Sequence, residues 1–402
     1  MAPEPTPSPR SLRALDAFAF FLADVQTGWG PFVAAYLTSV AWSQLDIGLV
    51  LTAGTLASLA LQIPAGALVD RVRAKRRIAA VAVAAISSSA LVLALWPRFA
   101  PVLVAKLLHA IASCLVGPAL AAIGLGLVGH AALSARLGRN ARYLSLGNAI
   151  AAGAMGALAY SFGNRAIFFF TAALGIPTLT ALARIRAHEI DPDLARGGIT
   201  ALQPQLRWSA LADLARNRAL LVFAAAIVLF QLANAAMLPI LAGILTLRTP
   251  ATATLVLSVC ILAPQLVVAA IAPWIGREAQ RRGRRPLLIL CFAALALRAL
   301  VFAATGDPRV ILTAQLLDGI SAAALGVLIP LVIADVTRGT GRFNLAQGAV
   351  GAAVGIGASA STSLAGAVAD ASGAAAAFAL LAAVAAIGLA LVLARMPETR
   401  PA

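Results

Sequence analysis

The stretch Gly66-Ala-Leu-Val-Asp70-Arg71-Val-Arg73-Ala-Lys75-Arg76-Arg77 decides the fold. Its last eight residues hold five cations and one acid, yet apolar runs of membrane length flank it on both sides. A loop that basic between two spans stays on the cytoplasmic side of a bilayer. About two hundred residues later comes Gly276-Arg277-Glu-Ala-Gln280-Arg281-Arg282-Gly283-Arg284-Arg285-Pro286, again between apolar runs. The two copies divide the chain into similar halves.

The 402 residues are 61% hydrophobic and only 11% charged. A soluble domain is nearer half apolar and a quarter charged, so this chain needs lipid. Aromatic residues are sparse and Ala is abundant, which suits close helix–helix contact in membranes. A net charge of +16 would point to nucleic acid in a soluble protein. Here the cations crowd the loops, so their role is topological and no nucleic-acid partner is expected. Cys114, Cys260 and Cys291 all fall inside apolar runs, as small buried hydrophobes without a disulfide framework. Residues 1–13 are Pro-rich and polar, without the short apolar run of a signal peptide, and are expected to stay in the cytoplasm.

A span needs about 20 apolar residues. Twelve candidates meet that need, over 14–40, 46–69, 78–96, 100–128, 143–162, 166–184, 219–245, 252–275, 286–304, 309–334, 344–368 and 374–394. With both termini inside, the outer loops hold only Arg98, Arg165, Arg248 and Arg309 of the 31 Lys and Arg residues. Lys106 and Arg298 lie within spans, and every other cation is cytoplasmic. The inverted topology would break the positive-inside rule at nearly every loop.

The domain plan follows. A tail (1–13) precedes a six-helix bundle (14–184), a polar linker (185–218), a second six-helix bundle (219–394) and a tail (395–402). Helix breakers and charges mark the linker, with a short surface helix expected over 208–214. The halves align beyond their basic loops. Lys106-Leu-Leu-His109 in span 4 lines up with Gln315-Leu-Leu-Asp318 in span 10, and the loops that follow read Gly138-Arg139-Asn140 and Gly341-Arg342-Phe343-Asn344. Two six-span repeats joined by a cytoplasmic linker are a standard plan of secondary transporters.

On these residues the chain resembles the major facilitator superfamily over nearly its whole length. Gly66, Leu68, Asp70, Arg71 and Lys75 match that family's loop signature after span 2, while Arg73 and Ala74 replace its Gly and Arg. The second copy keeps Gly276, Gly283, Arg284 and Arg285 but has Gln280 in place of Asp. The resemblance implies an all-α membrane protein of twelve helices in two pseudo-symmetric bundles, monomeric, around a central cavity. It also implies that the loop holding Gly66, Asp70, Arg71 and Lys75, with its second copy, gates the cytoplasmic side. Asp70 stands where it can meet Arg71, Arg77, a cation of the facing half, or a nearby helix N-terminus.

Asp24 lies about ten residues into span 1, near mid-bilayer at about 1.5 Å per residue. An ionised acid there costs several kcal/mol unless paired or hydrated. It is expected to face the cavity, with Gln26 beside it, and to carry protons. Gly28, Gly30 and Pro31 would let the helix bend there. Lys106 and His109 are three apart and share a helix face. Lys106 stands where the family often carries Arg. Two readings stay open for it, cavity contact and snorkelling to the outer surface. His109 reads equally as a proton relay or as a neutral hydrogen-bonded ring. Asp318 needs a partner or a cavity, as Asp24 does. Gln62, Gln231 and Asn234 are neutral polar groups at membrane depth, suited to substrate contact or to bonds across helices. Arg298 is expected to snorkel outward.

Other patterns are excluded. Gly124-Leu-Gly126-Leu-Val-Gly129 imitates a dinucleotide fingerprint, but no strand precedes it. There is no phosphate-binding Walker loop, no His-Glu-x-x-His, no Gly-x-Ser-x-Gly and no Cys-x-x-Cys, so neither enzyme chemistry nor a cofactor or metal is expected. The span 5 Gly-x-x-x-Gly-Pro motif of the family's proton-driven exporters lacks its Pro here. The reading is therefore an inner-membrane secondary transporter of a small molecule, with proton-coupled efflux of an amphipathic compound first. Proton-coupled uptake of a small organic anion comes second. A transporter-like membrane sensor is the reading from another class.

Overall fold

The computed structural model describes residues 7–27, 32–198, 213–248 and 250–400. Among them there is no strand. In chain order the helices are α1 (Pro9–Thr27), α2 (Phe32–Ser39), α3 (Gln44–Arg71), α4 (Lys75–Leu95), α5 (Phe99–Phe162) and α6 (Arg165–Arg184). Short 3-10 turns follow at Ala187–Glu189 and Leu194–Arg196. Then come α7 (Arg218–Asn234), α8 (Met237–Arg248), α9 (Pro250–Arg282), α10 (Arg285–Ala304), α11 (Pro308–Val336), α12 (Phe343–Ser372) and α13 (Ala374–Arg395). Ten helical stretches among the described residues are long and apolar enough to cross a membrane. The bend expected at Gly28, Gly30 and Pro31 lies outside the described residues, as does nearly all of the expected surface helix over 208–214.

Two expected loops are helical instead. α5 is two helical halves that meet at Gly129, about 45 and 50 Å long at 1.5 Å per residue, each enough for one crossing of a ~30 Å apolar core. Its residues 131–142 are mostly good helix formers, so the helix resumes at once after the break at Gly129, whose φ of 67° suits only glycine. The second basic stretch likewise lies in the last turns of α9. Glu278 holds Arg281 at 3.3 Å and Arg282 at 2.8 Å on one helix face. The helix ends only where Gly283 adopts a φ of +96°.

The chain forms two compact units, Met1–Leu206 with Thr337–Gly348, and Arg207–Val336 with Ala349–Ala402. In the first, Leu15, Phe18 and Leu22 of α1 are buried with Val83 and Ile86 of α4, Ile123 of α5 and Phe168 of α6. In the second, Phe230 packs edge-on to Phe292, and Phe302 edge-on to Phe378. Small residues permit this closeness. A Cβ on Gly147 would run into the Phe20 carbonyl, and one on Gly357 would come 2.5 Å from the Val228 carbonyl. Such close packing replaces the hydrophobic drive that lipid does not supply. Cys114, Cys260 and Cys291 are free and buried. Large apolar side chains such as Leu56, Val104, Leu266 and Leu300 are exposed, as suits a chain that sits in lipid.

Candidate functional site

In the second unit, α7, α10 and α11 bring four polar side chains together. Arg298 of α10 is ion-paired with Asp318 of α11 and donates to the Asn234 side-chain oxygen of α7. Its Nε and one terminal nitrogen also meet the Met237 sulfur at 3.3 and 3.1 Å. Arg298 is 3% exposed and Asp318 27%. Asp318, Gln231 and Asn234 line a cavity of about 390 Å³, whose remaining wall includes Phe230, Leu325, Ile329 and Pro330. Arg298 therefore does not snorkel to the surface. A carboxylate on the neighbouring helix and an amide on a third satisfy the guanidinium at depth, so it has no need of water.

In the first unit the polar groups lie on two helices, α1 and α5. Asp24 of α1 is 3% exposed and its Oδ1 has no hydrogen-bond partner. It abuts the far half of α5, where a Cβ on Gly147 would stand 3.0 Å from that oxygen. Gln26, two residues on, is half-buried. Lys106, on the near half of α5, lays its alkyl stem across Gly54 of α3, leaving no room there for a Cβ. His109 shares a hydrogen bond of 3.1 Å with Ser113, one turn along the same helix. Sequence reading expected Asp24 at the cavity and left Lys106 open between the cavity and the outer surface. The structure sets Asp24 in the seam between α1 and α5, and Lys106 in the seam between α3 and α5.

The first basic loop is built around Asp70. Its carboxylate accepts the Asn344 backbone N–H at 3.1 Å, the Asn344 side-chain amide at 2.8 Å and the Leu345 N–H at 2.8 Å. These are the unpaired donors of the first turn of α12, where an anion is favoured. Among the partners open to Asp70, it takes the helix N-terminus. Gly66, one turn earlier, lets the chain at Asn344 come so close that a Cβ would strike its carbonyl. Lys75 is buried and donates to the carbonyls of Val69 and Asp70, closing the end of α3. Arg71 is exposed. The linker joins this cluster: the Asn344 side chain also donates to the Ala195 carbonyl at 3.1 Å, and the Gly339 N–H to that of Gly197 at 2.6 Å.

The second basic loop is built differently. Arg284 is buried and pairs with Asp335 at 2.8 Å, while its other nitrogen reaches the Ala279 carbonyl at 2.8 Å. Glu398 accepts the N–H groups of Arg284 and Arg285 at 2.9 and 3.1 Å. Burial pushes the Glu398 carboxyl up, but the N–H groups of Arg284, Arg400 and Arg285 outweigh that and hold it below its ordinary value. Gly283 leaves the space Glu398 occupies, Gly276 is buried in α9, and Arg285 reaches the Leu393 carbonyl at 2.5 Å.

Asp335 and Glu398 escaped sequence reading, as did Asp16, which Arg136 and Arg139 grip from α5. The signal for Asp335 was the repeat itself. Aligning the basic loops sets Arg284 opposite Ala74, and aligning Asp318 with His109 sets Asp335 opposite Gly126. One repeat keeps both partners of the ion pair, and the other lacks both. At Gly126 the linker fills the place instead, its Asp191 N–H donating to the Gly126 carbonyl at 2.9 Å. Asn344 carried a signal too, in the repeated Gly-Arg-Asn loops.

Comparison with known proteins decides the family. The sequence profile of the Major Facilitator Superfamily matches residues 17–278 and 226–402. The chain belongs to that family. It is 42% identical over 393 residues to an uncharacterized MFS-type transporter of Mycobacterium tuberculosis strain H37Rv, covering 97% of this chain and 94% of that protein. Its fold is like that of the Major Facilitator Superfamily transporter FucP in the outward conformation, with a TM-score of 0.77, 15% identity, and 96% and 99% of the two chains covered. It is also like that of the human organic anion transporter MFSD10, with a TM-score of 0.71, 16% identity, and 95% and 99% covered. This superfamily member is thus a membrane-spanning transporter of small molecules and not an enzyme.

Proposed function

We propose that this superfamily member exports an amphipathic small molecule across the inner membrane by alternating access, driven by protons, with Asp24 as proton carrier. The observation that carries the proton coupling is the buried Asp24 oxygen without a hydrogen-bond partner. A charge so placed is costly to bury without a partner or water. The cavity beside Asp318 supports an amphipathic substrate, because an apolar wall with Phe230 and Ile329 faces three polar groups, Gln231, Asn234 and Asp318. The bonds from Asn344 and Leu345 to Asp70 support a cytoplasmic latch that must break when that side opens. The positive-inside charge pattern supports cytoplasmic termini. The resemblance supports a monomer.

Inside-out vesicles energised to an acid interior test the reading, with wild type and Asp24→Asn in parallel. Addition of an amphipathic substrate should dissipate the pH gradient in wild type and not in the variant. A silent wild type, folded and present in the membrane, would overturn it. Arg298 favours a second reading, uptake of a small organic anion that competes with Asp318 for the guanidinium. Accumulation of labelled anions by whole cells would select that reading.

A further inference from the structure

A second cavity, of about 790 Å³, lies in the first unit between α1 and α6, away from the groups discussed above. Its α1 wall is Arg10, Arg13, Ala14, Ala17 and Phe21. Those positions repeat at three- and four-residue steps and so form one helix face. Its α6 wall is Ile176, Pro177, Thr180, Ala181 and Arg184, again one face. The helices run in opposite directions, yet both faces carry their arginines at the cytoplasmic end and grow apolar with depth. From Arg184 to Ile176 is about 12 Å, and from Arg10 to Phe21 about 16 Å, at 1.5 Å per residue.

Charge selects the occupant. Among the described residues no carboxylate pairs with Arg10, Arg13 or Arg184. The acids close by in sequence are engaged elsewhere, Asp16 by Arg136 and Arg139, and Glu189 by Arg186 and Ser8. Ile176 stands 70% exposed in the apolar wall. Three guanidiniums above an apolar trough match a phosphate above an acyl chain, and basic pockets between spans on the cytoplasmic side suit anionic head groups. We propose that this groove is a binding site for an anionic phospholipid of the inner leaflet, its phosphate held by Arg10, Arg13 and Arg184 and one acyl chain lying along Ala17, Phe21 and Ile176.

The test uses the full chain in detergent micelles, with lipid retention read by native mass spectrometry. Phosphatidylglycerol, phosphatidylcholine and water-soluble glycerophosphate are offered separately to wild type, to R10A/R13A/R184A, and to the control R216A/R218A/R395A, which removes the same charge elsewhere. Wild type and control should retain phosphatidylglycerol over phosphatidylcholine. The groove variant should lose about five-fold in affinity per arginine removed, on the order of a hundredfold in all. Equal retention by the groove variant and wild type would overturn the proposal, as would equal retention of the two lipids by wild type. Glycerophosphate binding as tight as the lipid would assign the site to a free anion and overturn it too. If the groove variant does not fold, R184A alone keeps the test open, with the single-arginine loss expected.

Discussion

Arg298 and Asp318 form a buried ion pair across α10 and α11, with Arg298 closed off at 3% exposure and Asp318 open to the cavity at 27%. The pair thus shows its acidic member to the cavity, and an anion would reach Arg298 only by displacing Asp318. Asp318→Ala would strand the guanidinium, with Asn234 its remaining oxygen acceptor among the described residues. The expected cost is about 3 kcal/mol, the low end for breaking a buried pair because Asp318 is partly solvated. Thermal unfolding in detergent reads that loss. The double variant Asp318→Leu with Arg298→Leu should recover most of it, and additive losses would show that the pair is not coupled.

Asp70 is expected to matter through the backbone of α12. Asp70→Ala removes an acceptor from the Asn344 and Leu345 N–H groups, and hydrogen bonds to charged groups contribute about 1.5–3 kcal/mol each. Amide exchange at those two positions should accelerate by at least roughly tenfold, and transport should fall. Gly66→Ala should give the same exchange signature without touching any charge, because its Cβ displaces Asn344. Unchanged protection in both variants would remove the latch.

Gly126 holds the linker. A Cβ there would stand 2.8 Å from the Asp191 carbonyl and from an Ile190 methyl. Gly126→Ala should cost about 1–3 kcal/mol and expose the linker around Asp191 to limited proteolysis. Ala74→Arg, at an exposed position, should leave the melting temperature and the proteolysis pattern unchanged.

Acid should loosen the N-terminal contact before it unfolds the bundle. Burial pushes the Glu189 carboxyl up, but hydrogen bonds from Ser11, from the Ser8 N–H and hydroxyl, and from Arg186 outweigh it and hold it at about 2, against an ordinary 4.5. An acid whose folded value is depressed stabilises fully above its unfolded value and loses that contribution as pH falls through the folded one. The contact between Ser8 and Glu189 should weaken from about pH 4.5 down to 2. Amide exchange at Ser8 and Ser11 against pH measures it, and Glu189→Gln should flatten that part of the profile.

What the sequence determined by itself was the membrane, the helical class, the repeat and the family. Those rest on apolar length and on where Lys and Arg fall, and both are written residue by residue. The cytoplasmic cluster was half legible: Asp70 and Gly66 stood out by position, but their partner did not. Only tertiary structure decided that the partner is the start of α12, because two of the three donors are backbone N–H groups, which every residue but proline carries. The same holds for Arg298. Its charge at depth was plain, and whether it would reach for water or for Asp318 depended on which helices lie side by side. Asp24, Lys106 and His109 stood out because depth in a span can be counted along the chain. The direction a side chain faces could not be read until α5 was seen packed against α1 along one half and α3 along the other.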